Sequence, residues 1–267
     1  MLRATQRSEI LPDGIERLPD PTGGVMRHFM SNMVCALIWS RARRKKVRAV
    51  LNSNVLGYLT FIRQNIGTRI RRVKILVGYR GRNLLIAVNG RYIFKFQIPG
   101  KKYRVNMALR EKRIVDALMP HGRGLVPGVE LLRYRDMNVR RYDFIAGKSM
   151  RTLPLHQIIA HEQALAQQVA RFIYDIGMAD PAEIRDLKDK PTARPGYMRG
   201  WFHGDIYENF IIDPATMKLV AFIDWEDCAW GDFSDQFASN PRYTRPDFMG
   251  RVGAEYKKIW DAEHRQK

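Results

Sequence analysis

Residues 201–238 read WFHGDIYENFIIDPATMKLVAFIDWEDCAWGDFSDQFA and carry a dense set of acidic and amide side chains. Two β-prone apolar runs lie within this stretch, NFII at 209–212 and LVAFI at 219–223. Residues 213–216, which follow the first run, are mostly turn formers. The pattern therefore predicts a β-hairpin.

The predicted hairpin has polar side chains at its open end. The entry of the hairpin carries Asp205 and Asn209, and its exit carries Asp224. Because antiparallel pairing returns the end of one strand to the start of the other, we expect Asp224 to lie near Asn209. An amide oxygen and a carboxylate suit Mg²⁺, which takes the rest of its shell from water and phosphate oxygens. Asp205 would stand beside this metal site and would orient a hydroxyl and accept its proton.

A base, an amide metal ligand and a carboxylate metal ligand follow one another here in the order of a kinase active site. HGD-x-x-x-N followed by IDWE-x-x-x-x-GD closely resembles the motifs of the aminoglycoside phosphotransferase and choline kinase superfamily. Protein kinases have H-R-D and D-F-G at the equivalent points, so Gly204 and the IDWE run favour the small-molecule branch. The residues that carry the resemblance are His203, Gly204, Asp205, Asn209, Asp224, Trp225, Glu226, Gly231, Asp232 and Asp235.

The resemblance implies a two-lobed, protein-kinase-like α+β fold, with a small antiparallel sheet in the N-lobe and a mainly helical C-lobe. It implies the N-lobe at 73–145 and the C-lobe at 146–267, and the charge pattern adds a basic, partly helical N-terminal extension at 1–72. ATP and Mg²⁺ are the implied cofactors. Asp205 would be the catalytic residue, and Asn209 and Asp224 would hold the metal, whereas His203 would brace the loop.

Each acidic or amide residue of the motif also has a structural interpretation. Asp205 and Asn209 would then be turn residues that bond their own backbone, and Asp224 would simply close a strand. For Asp232 and Asp235, helix capping or loop bracing is the favoured interpretation.

Upstream, residues 73–98 are β-rich, and Asn89 with Gly90 gives a tight-turn signal between two strands. Gly78 and Gly81 lie on the preceding turn. The resemblance places that turn over the ATP phosphates, because glycine lets the backbone approach them closely. The same two glycines also fit an ordinary hairpin.

Lys95 lies between Phe94 and Phe96, so strand alternation puts it on the opposite face from both. The resemblance matches Lys95 to the lysine that contacts the α- and β-phosphates. A helix is predicted at about 105–118, and Glu111 falls on its apolar face, where a carboxylate needs a partner. We therefore expect Lys95 and Glu111 to form the kinase ion pair. The alternatives are a solvated surface lysine and a glutamate at the edge of the apolar stripe.

The remaining elements also fit a kinase-like chain. Residues 125–145 predict two strands around 136–138, and the resemblance makes 142–147 the hinge that receives adenine. Residues 155–176 predict an amphipathic helix that has Leu155 and Ile159 on its apolar face and Gly177 as its C-cap. Only one further helix, at 247–264, is predicted after residue 238. The family usually has a longer helical C-terminal region, so we expect an open site that suits a large acceptor or is completed by another element.

Length and composition exclude several classes of protein. A chain of 267 residues that is 45% hydrophobic can form one large domain or two modest lobes. Cys35 and Cys228 match no disulfide framework or zinc spacing, which predicts a reducing compartment. The N-terminus lacks the apolar core of a signal peptide, and no apolar run reaches the roughly 18 residues of a membrane span. We therefore expect a cytoplasmic protein.

The net charge of +19 is concentrated in one part of the chain. Residues 21–110 hold 20 Lys and Arg and no Asp or Glu, whereas the rest holds 26 basic and 27 acidic residues. Residues 25–50 run from an apolar stretch into a basic end. One interpretation is an interfacial helix on the anionic inner face of the membrane; the other is a helix packed on the kinase body. Nucleic-acid binding is less favoured, because no base-recognition signature accompanies the charge.

The sequence predicts a phosphotransferase that moves the γ-phosphoryl group of ATP to a hydroxyl of a small molecule or glycan. The basic segment favours an anionic surface polysaccharide or lipid-linked sugar as acceptor, since it would repel polycationic aminoglycosides. The alternatives are a protein kinase, a basic membrane or nucleic-acid adaptor, and an inactive pseudokinase that acts as a binding module. The filled motif positions argue against the pseudokinase.

Overall fold

The computed structural model describes residues 53–77, 83–98, 107–188, 199–206, 209–232 and 246–265, with the single positions 47, 50, 51 and 237. Gly78, Gly81, Asp235 and the basic run 41–46 lie outside these residues, so what the sequence predicts for them stays a prediction. The chain divides into two compact units. One holds the described residues before 104 together with 132–139, and the other holds those of 104–131 and 140–267.

A five-stranded sheet contains the β-structure predicted for 73–98 and 125–145. Its strands, in the spatial order β1-β2-β3-β5-β4, are β1 (Val73–Val77), β2 (Asn83–Val88), β3 (Tyr92–Gln97), β4 (Glu130–Tyr134) and β5 (Met137–Asp143). Strand β2 pairs antiparallel with both β1 and β3, and Leu85 lies opposite Lys95. The predicted strands are thus confirmed.

The turn between β2 and β3 is the predicted Asn89–Gly90 pair. Both residues have positive φ angles, 57° and 65°, as hairpin turns that match the strand twist require. The Asn89 side chain accepts hydrogen bonds from the N–H groups of Arg71 at 2.8 Å and Arg72 at 3.1 Å. The turn therefore also anchors the chain that enters β1.

Helix α1 (Val55–Ile66) shares its hydrophobic core with this sheet. Asn54 caps its first turn, and Gly67 ends it in the left-handed conformation, at φ 62°. Tyr58 stacks on Phe96 of β3 with ring centroids 4.1 Å apart. The helix that the sequence assigns to the basic extension is therefore packed on the strands assigned to the N-lobe.

The second unit contains the helices α2 (Met107–Leu118), α3 (Leu155–Gly177) and α4 (Pro246–His264). Their positions confirm the three predicted helices. Helix α3 packs against α4, and both contribute to the larger hydrophobic core. None of the helices in the described parts of the chain has the length and apolar character of a membrane span.

The end of α3 differs from the prediction. Gly177 is the last helical residue rather than the cap, and the N–H of Met178 closes the helix by donating to the Tyr174 carbonyl at 2.9 Å. Met178 takes the cap position in a right-handed conformation, at φ −86° and ψ −8°, so this helix end does not need the left-handed glycine that the prediction assumed. Gly177 instead faces the next strand, where a Cβ at Gly200 would lie 2.2 Å from its carbonyl oxygen. Two glycines therefore meet where the next strand crosses the helix.

The start of α3 also differs from the prediction. Leu155 and Ile159, which the periodicity assigns to the apolar face, are 58% and 52% exposed. Ile158 is the first α3 residue in the core, at 7% exposure. The buried face of this end of the helix is thus narrower than the apolar stripe in the sequence.

Two small sheets lie in the second unit. Strands β6 (Lys148–Ser149), β8 (Phe210–Asp213) and β9 (Lys218–Phe222) form one in the order β6-β8-β9, and β7 (Arg199–Phe202) pairs with β10 (Ala229–Asp232) in the other. Strands β8 and β9 are the predicted hairpin, which is confirmed. Its turn is held by the Asp213 carboxylate, which accepts from the N–H of Ala215 at 3.0 Å and the hydroxyl of Thr216 at 2.8 Å.

Candidate active site

The β8–β9 hairpin brings the two halves of the motif together. Phe210 lies opposite Phe222, and the N–H of Ile223 donates to the Asn209 carbonyl at 2.7 Å. Asp224 is therefore the first residue beyond the paired strands and lies beside the Asn209 segment. This is the arrangement expected from the sequence.

Asn209 closes the loop that begins at Asp205. Its Nδ2 donates to the Asp205 carbonyl at 2.7 Å, and its backbone N–H lies 3.3 Å from the Ile206 carbonyl. Because the amide nitrogen is used in this way, Oδ1 is the end of the side chain that can meet a cation. The Asp205 side chain is exposed at the surface of the unit.

His203 braces this loop from inside the protein. The side chain is buried, with Nε2 2.9 Å from the Ile223 carbonyl oxygen and Nδ1 3.4 Å from the Asp205 nitrogen. Both contacts are satisfied when Nε2 carries the hydrogen and Nδ1 accepts. The ring also packs against Trp225, with centroids 4.8 Å apart. His203 thus links Asp205 to the strand that leads to Asp224, which is the structural role that the resemblance implies.

Burial lowers the pKa of His203 to about 4, although the charge of Asp224 acts in the opposite direction. Between pH 4 and about 6.5 the unfolded chain binds a proton that the folded chain does not, so stability is full above pH 6.5 and falls as the pH is lowered. We expect this residue alone to remove about 3 kcal/mol by pH 4, at about 1.4 kcal/mol per pKa unit. Urea denaturation at a series of pH values measures the effect.

The matched control is a pair of substitutions. His203→Gln should flatten the pH dependence of the unfolding free energy between pH 4 and 6.5, whereas His161→Gln, at an exposed position of α3, should leave it unchanged. Equal slopes in the wild type and His203→Gln would show that His203 is not buried in its neutral form.

Asp224 has an unusual backbone conformation. Its φ angle is 67°, in the left-handed region that side chains other than those of Asn and Asp rarely adopt. The Trp225 side chain is 1% exposed, and its indole N–H donates to the Phe222 carbonyl at 2.8 Å. Such conformations persist where the surroundings determine them, and they cluster at functional sites.

Gly204 gives the loop its close packing. It has a φ angle of 81°, and a Cβ there would lie 2.3 Å from the Asp227 carbonyl oxygen. A side chain at this position would therefore collide with the backbone that follows Asp224. The arginine that protein kinases have in H-R-D does not fit this loop.

Glu111 is fully buried on α2, so its placement on the apolar face is confirmed. Its carboxylate is contacted by two side chains of β5: Nη1 of Arg140 bonds Oε2, and the Tyr142 hydroxyl donates to Oε1 at 2.8 Å. Residues 140 and 142 share a face of β5, as strand alternation requires. Arg140 is not among the residues that the sequence predicts for the site; the only signal for it is that a buried glutamate needs a cation.

Arg140 has a second acidic partner. The same Nη1 lies 3.0 Å from Oε2 of Glu226, two residues after Asp224. Burial alone would lower the pKa of Arg140, but Glu111, Tyr142 and Glu226 raise it above its usual value. Burial and the charge of Glu111 also raise the pKa of Tyr142, which stays a neutral donor. Glu226, which the motif leaves without a role, thus belongs to a buried charge cluster.

Lys95 lies on β3 in the first unit and is 4% exposed, so the interpretation as a solvated surface lysine is wrong. Phe94 and Phe96, its neighbours, are both completely buried in the core of that unit. The ion pair between Lys95 and Glu111 stays a prediction. A buried lysine does require a partner of opposite charge or polar acceptors.

Asn209 and Asp224 suit a cation that needs few protein ligands. Within the part of the chain that the structure describes, no three His, Cys, Asp or Glu side chains are grouped to hold a metal. A protein-only cage of the calcium or zinc type is therefore not built from those residues. One amide and one carboxylate, with water and phosphate oxygens, match the way Mg²⁺ is bound in phosphoryl-transfer sites.

The comparisons with known proteins agree with this geometry. The model of the phosphotransferase enzyme family matches residues 162–265, which include α3, the hairpin and α4. No curated protein sequence gives a significant match.

Solved structures of phosphotransferases share the fold. The GDP complex of aminoglycoside 2'-phosphotransferase-IIIa has a TM-score of 0.61 at 20% identity, over 78% of this chain and 84% of that one. ADP-bound aminoglycoside phosphotransferase APH(2'')-Ib has a TM-score of 0.56 at 15% identity, over 80% and 86%. The apoenzyme of macrolide 2'-phosphotransferase MphH from Brachybacterium faecium has a TM-score of 0.54 at 14% identity, over 75% and 82%.

The motif lies within the range that the family model matches, and the shared fold agrees with both. The chain thus resembles the phosphotransferase enzyme family over residues 162–265 and shares the fold of aminoglycoside and macrolide phosphotransferases.

Proposed function

We propose that this protein transfers the γ-phosphoryl group of ATP to a hydroxyl of a small molecule or glycan, with Mg²⁺ as cofactor. The observation that carries the proposal is the bond from the Ile223 N–H to the Asn209 carbonyl, which joins the two halves of the motif. Asp205 is tied to the same assembly through the Asn209 amide and the His203 ring. A base and two metal ligands are thus supported by one small framework.

The three polar residues would have separate roles. Asp205 would orient the acceptor hydroxyl and take its proton, a role that suits an exposed carboxylate on a braced loop. Asn209 Oδ1 and the Asp224 carboxylate would hold Mg²⁺, which would neutralise charge on the phosphates. Such catalysis depends on positioning and charge neutralisation, so rigid placement of these groups matters more than covalent chemistry.

We propose that the nucleotide is held by the residues that the resemblance assigns to it. Lys95 would contact the α- and β-phosphates, Glu111 would support Lys95, and the turn with Gly78 and Gly81 would cover the phosphates. The burial of Lys95 and Glu111 supports their assignment, because neither is an ordinary surface charge. Structural relatives with bound GDP or ADP support a purine nucleotide as the phosphate donor. We propose that this nucleotide is ATP.

We propose an anionic acceptor, such as an acidic surface polysaccharide or a lipid-linked sugar. Residues 21–110 carry 20 basic and no acidic side chains, a field that attracts anions and repels polycations. A lipid-linked acceptor would bring the protein to the inner face of the membrane, where this segment would meet anionic headgroups. The structural relatives are named as phosphotransferases of aminoglycosides and of a macrolide. From them we take only the proposal that the acceptor group of this protein is a hydroxyl.

The test is transfer of label from γ-labelled ATP into a fractionated lysate of the source cell by the purified protein, with Mg²⁺ or with EDTA. We expect label in one fraction, in the presence of Mg²⁺ only. The nature of that fraction, whether glycan, lipid or small molecule, identifies the acceptor class.

Two other outcomes would contradict the proposal. Binding of ATP without any transfer, in all fractions, would indicate a pseudokinase that acts as a binding module. Label in protein would indicate a protein kinase, which Gly204 in place of the H-R-D arginine argues against.

A further inference from the structure

Arg140 on β5 joins α2 to the segment that carries Asp224. Its Nη1 contacts Glu111 Oε2 and lies 3.0 Å from Glu226 Oε2. The three side chains are 3%, 0% and 12% exposed, so this is a buried cluster of one positive and two negative charges. All three residues lie in the second unit.

The Arg140 guanidinium is positioned by its contacts with the two carboxylates. One nitrogen bridges both carboxylates, while the buried Nε–H has no hydrogen-bond partner among the described residues. An arginine side chain offers five donors, and a buried donor is normally satisfied. The two acidic contacts therefore orient Arg140, at the cost of one unsatisfied donor.

Glu226 is two residues from Asp224 along a short, constrained segment. Upstream of Asp224, the strand pairing ends with the bond of Ile223 to Asn209. Downstream, residues 225–227 form a single 3₁₀ turn that packs against α2. Asp224 itself has a left-handed φ angle, so its conformation depends on the anchors on both sides. Trp225 and Glu226 are the downstream anchors.

We propose that Arg140 is a positioning residue for the metal site: by holding Glu226 against Glu111, it fixes the segment of Asp224 and thereby sets the affinity of the nucleotide site for Mg²⁺. The inference rests on the proposed function and deepens it. Groups that hold a metal ligand in place typically change metal affinity about 10- to 100-fold when they are removed, without contacting the metal themselves. Arg140 would do so through an ion pair with a neighbour of the ligand.

The experiment measures the dissociation constant of ATP by calorimetry on the full chain, once with Mg²⁺ and once with EDTA. The ratio of the two constants is the gain in affinity that Mg²⁺ provides. We expect Glu226→Gln to reduce this gain about tenfold and to leave binding in EDTA within about threefold of the wild type. Excess Mg²⁺ should restore binding, because the metal affinity is weakened and not abolished.

Asp227→Asn is the matched control, since it removes the same charge one residue further along at an exposed position. It should leave the Mg²⁺ gain within about threefold of the wild type, because the carboxylate of an exposed side chain is surrounded by water, which weakens its field. An equal loss in Asp227→Asn would mean that Glu226 acts only through its charge, and would overturn the inference.

Arg140→Lys provides a second route to the same test, because an ammonium group lacks the planar fork that meets two carboxylates. It should reproduce the loss seen in Glu226→Gln, and the double variant should show little further loss, as expected for two residues that act together. Thermal melting checks that each variant is folded. If Arg140→Lys is not folded, Glu226→Gln alone tests the inference.

The failure of this inference is distinguishable from the failure of the proposed function. If the wild type binds ATP with a Mg²⁺ gain that Glu226→Gln retains in full, the role of Arg140 is overturned and the proposed function stands. If the wild type shows no ATP binding in either condition, the proposed function is overturned and this inference with it.

Discussion

Replacing Asp205 by Asn will abolish phosphoryl transfer and leave Mg·ATP binding measurable. Asn has nearly the same shape but cannot take the proton of the acceptor hydroxyl, and general-base removal typically costs about 10²- to 10⁴-fold in rate. The backbone groups of Asp205 that bond Asn209 and His203 are kept in the variant. The fold of the loop should therefore survive. Transfer of labelled phosphate and calorimetric ATP binding, measured on the same preparation, check both parts.

Asp213→Asn is the control for Asp205→Asn. Asp213 is also a loop carboxylate of the hairpin region, but its oxygens bond Ala215 and Thr216 in the β-turn away from the motif. The control should transfer phosphate at the wild-type rate within about twofold, since surface substitutions outside a site have small effects. If Asp205→Asn loses nucleotide binding as well as transfer, Asp205 is a metal ligand or a structural residue, and its assignment as the base is wrong.

Replacing Asp224 by Asn will remove the gain in ATP affinity that Mg²⁺ provides and will reduce transfer by about 10³-fold or more, because loss of electrostatic stabilisation costs that much. Asn keeps the size but not the charge that a metal ligand supplies. It also tolerates the left-handed backbone that Asp224 adopts, at φ 67°. We therefore expect an unchanged melting temperature, so the loss cannot be ascribed to unfolding.

The variants at positions 205 and 224 are expected to differ in their effects on ATP binding and on transfer, so each is a control for the other. Asp205→Asn should retain the Mg²⁺-dependent gain in ATP affinity and lose transfer, whereas Asp224→Asn should lose both. Calorimetry with Mg²⁺ and with EDTA separates the two patterns. Full retention of the gain in Asp224→Asn would show that the carboxylate does not hold the metal.

The local elements of this protein could be predicted from its sequence because their signals are local. The Asn89–Gly90 turn requires positive φ angles that few residues adopt, and the β8–β9 hairpin alternates apolar runs with turn formers. The same locality explains the active-site prediction. Asp224 lies beside Asn209 because a hairpin returns the chain to its start, which needs no knowledge of the rest of the fold.

Features that depend on distant parts of the chain were missed or mistaken. Gly177 has the sequence signature of a helix cap, yet it is the last helical residue, because Met178 ends the helix in a right-handed conformation. The Gly177 carbonyl packs against Gly200, a contact that the sequence does not reveal. Leu155 and Ile159 fit the apolar stripe of α3, but the core does not extend to them. The apolar periodicity of a helix shows which face could be buried, whereas actual burial depends on which element packs against that face.

The sequence by itself determined the hairpin, the resemblance to kinase-type phosphotransferases and the identity of Asp205, Asn209 and Asp224 as candidate site residues. Only the tertiary structure decided how the charges around them are partnered. Arg140 is separated by 29 residues from Glu111 and by 86 from Glu226, and its strand gives no sign that it is buried. A buried charge needs partners that the fold brings from any distance, so their identity depends on packing and not on local pattern.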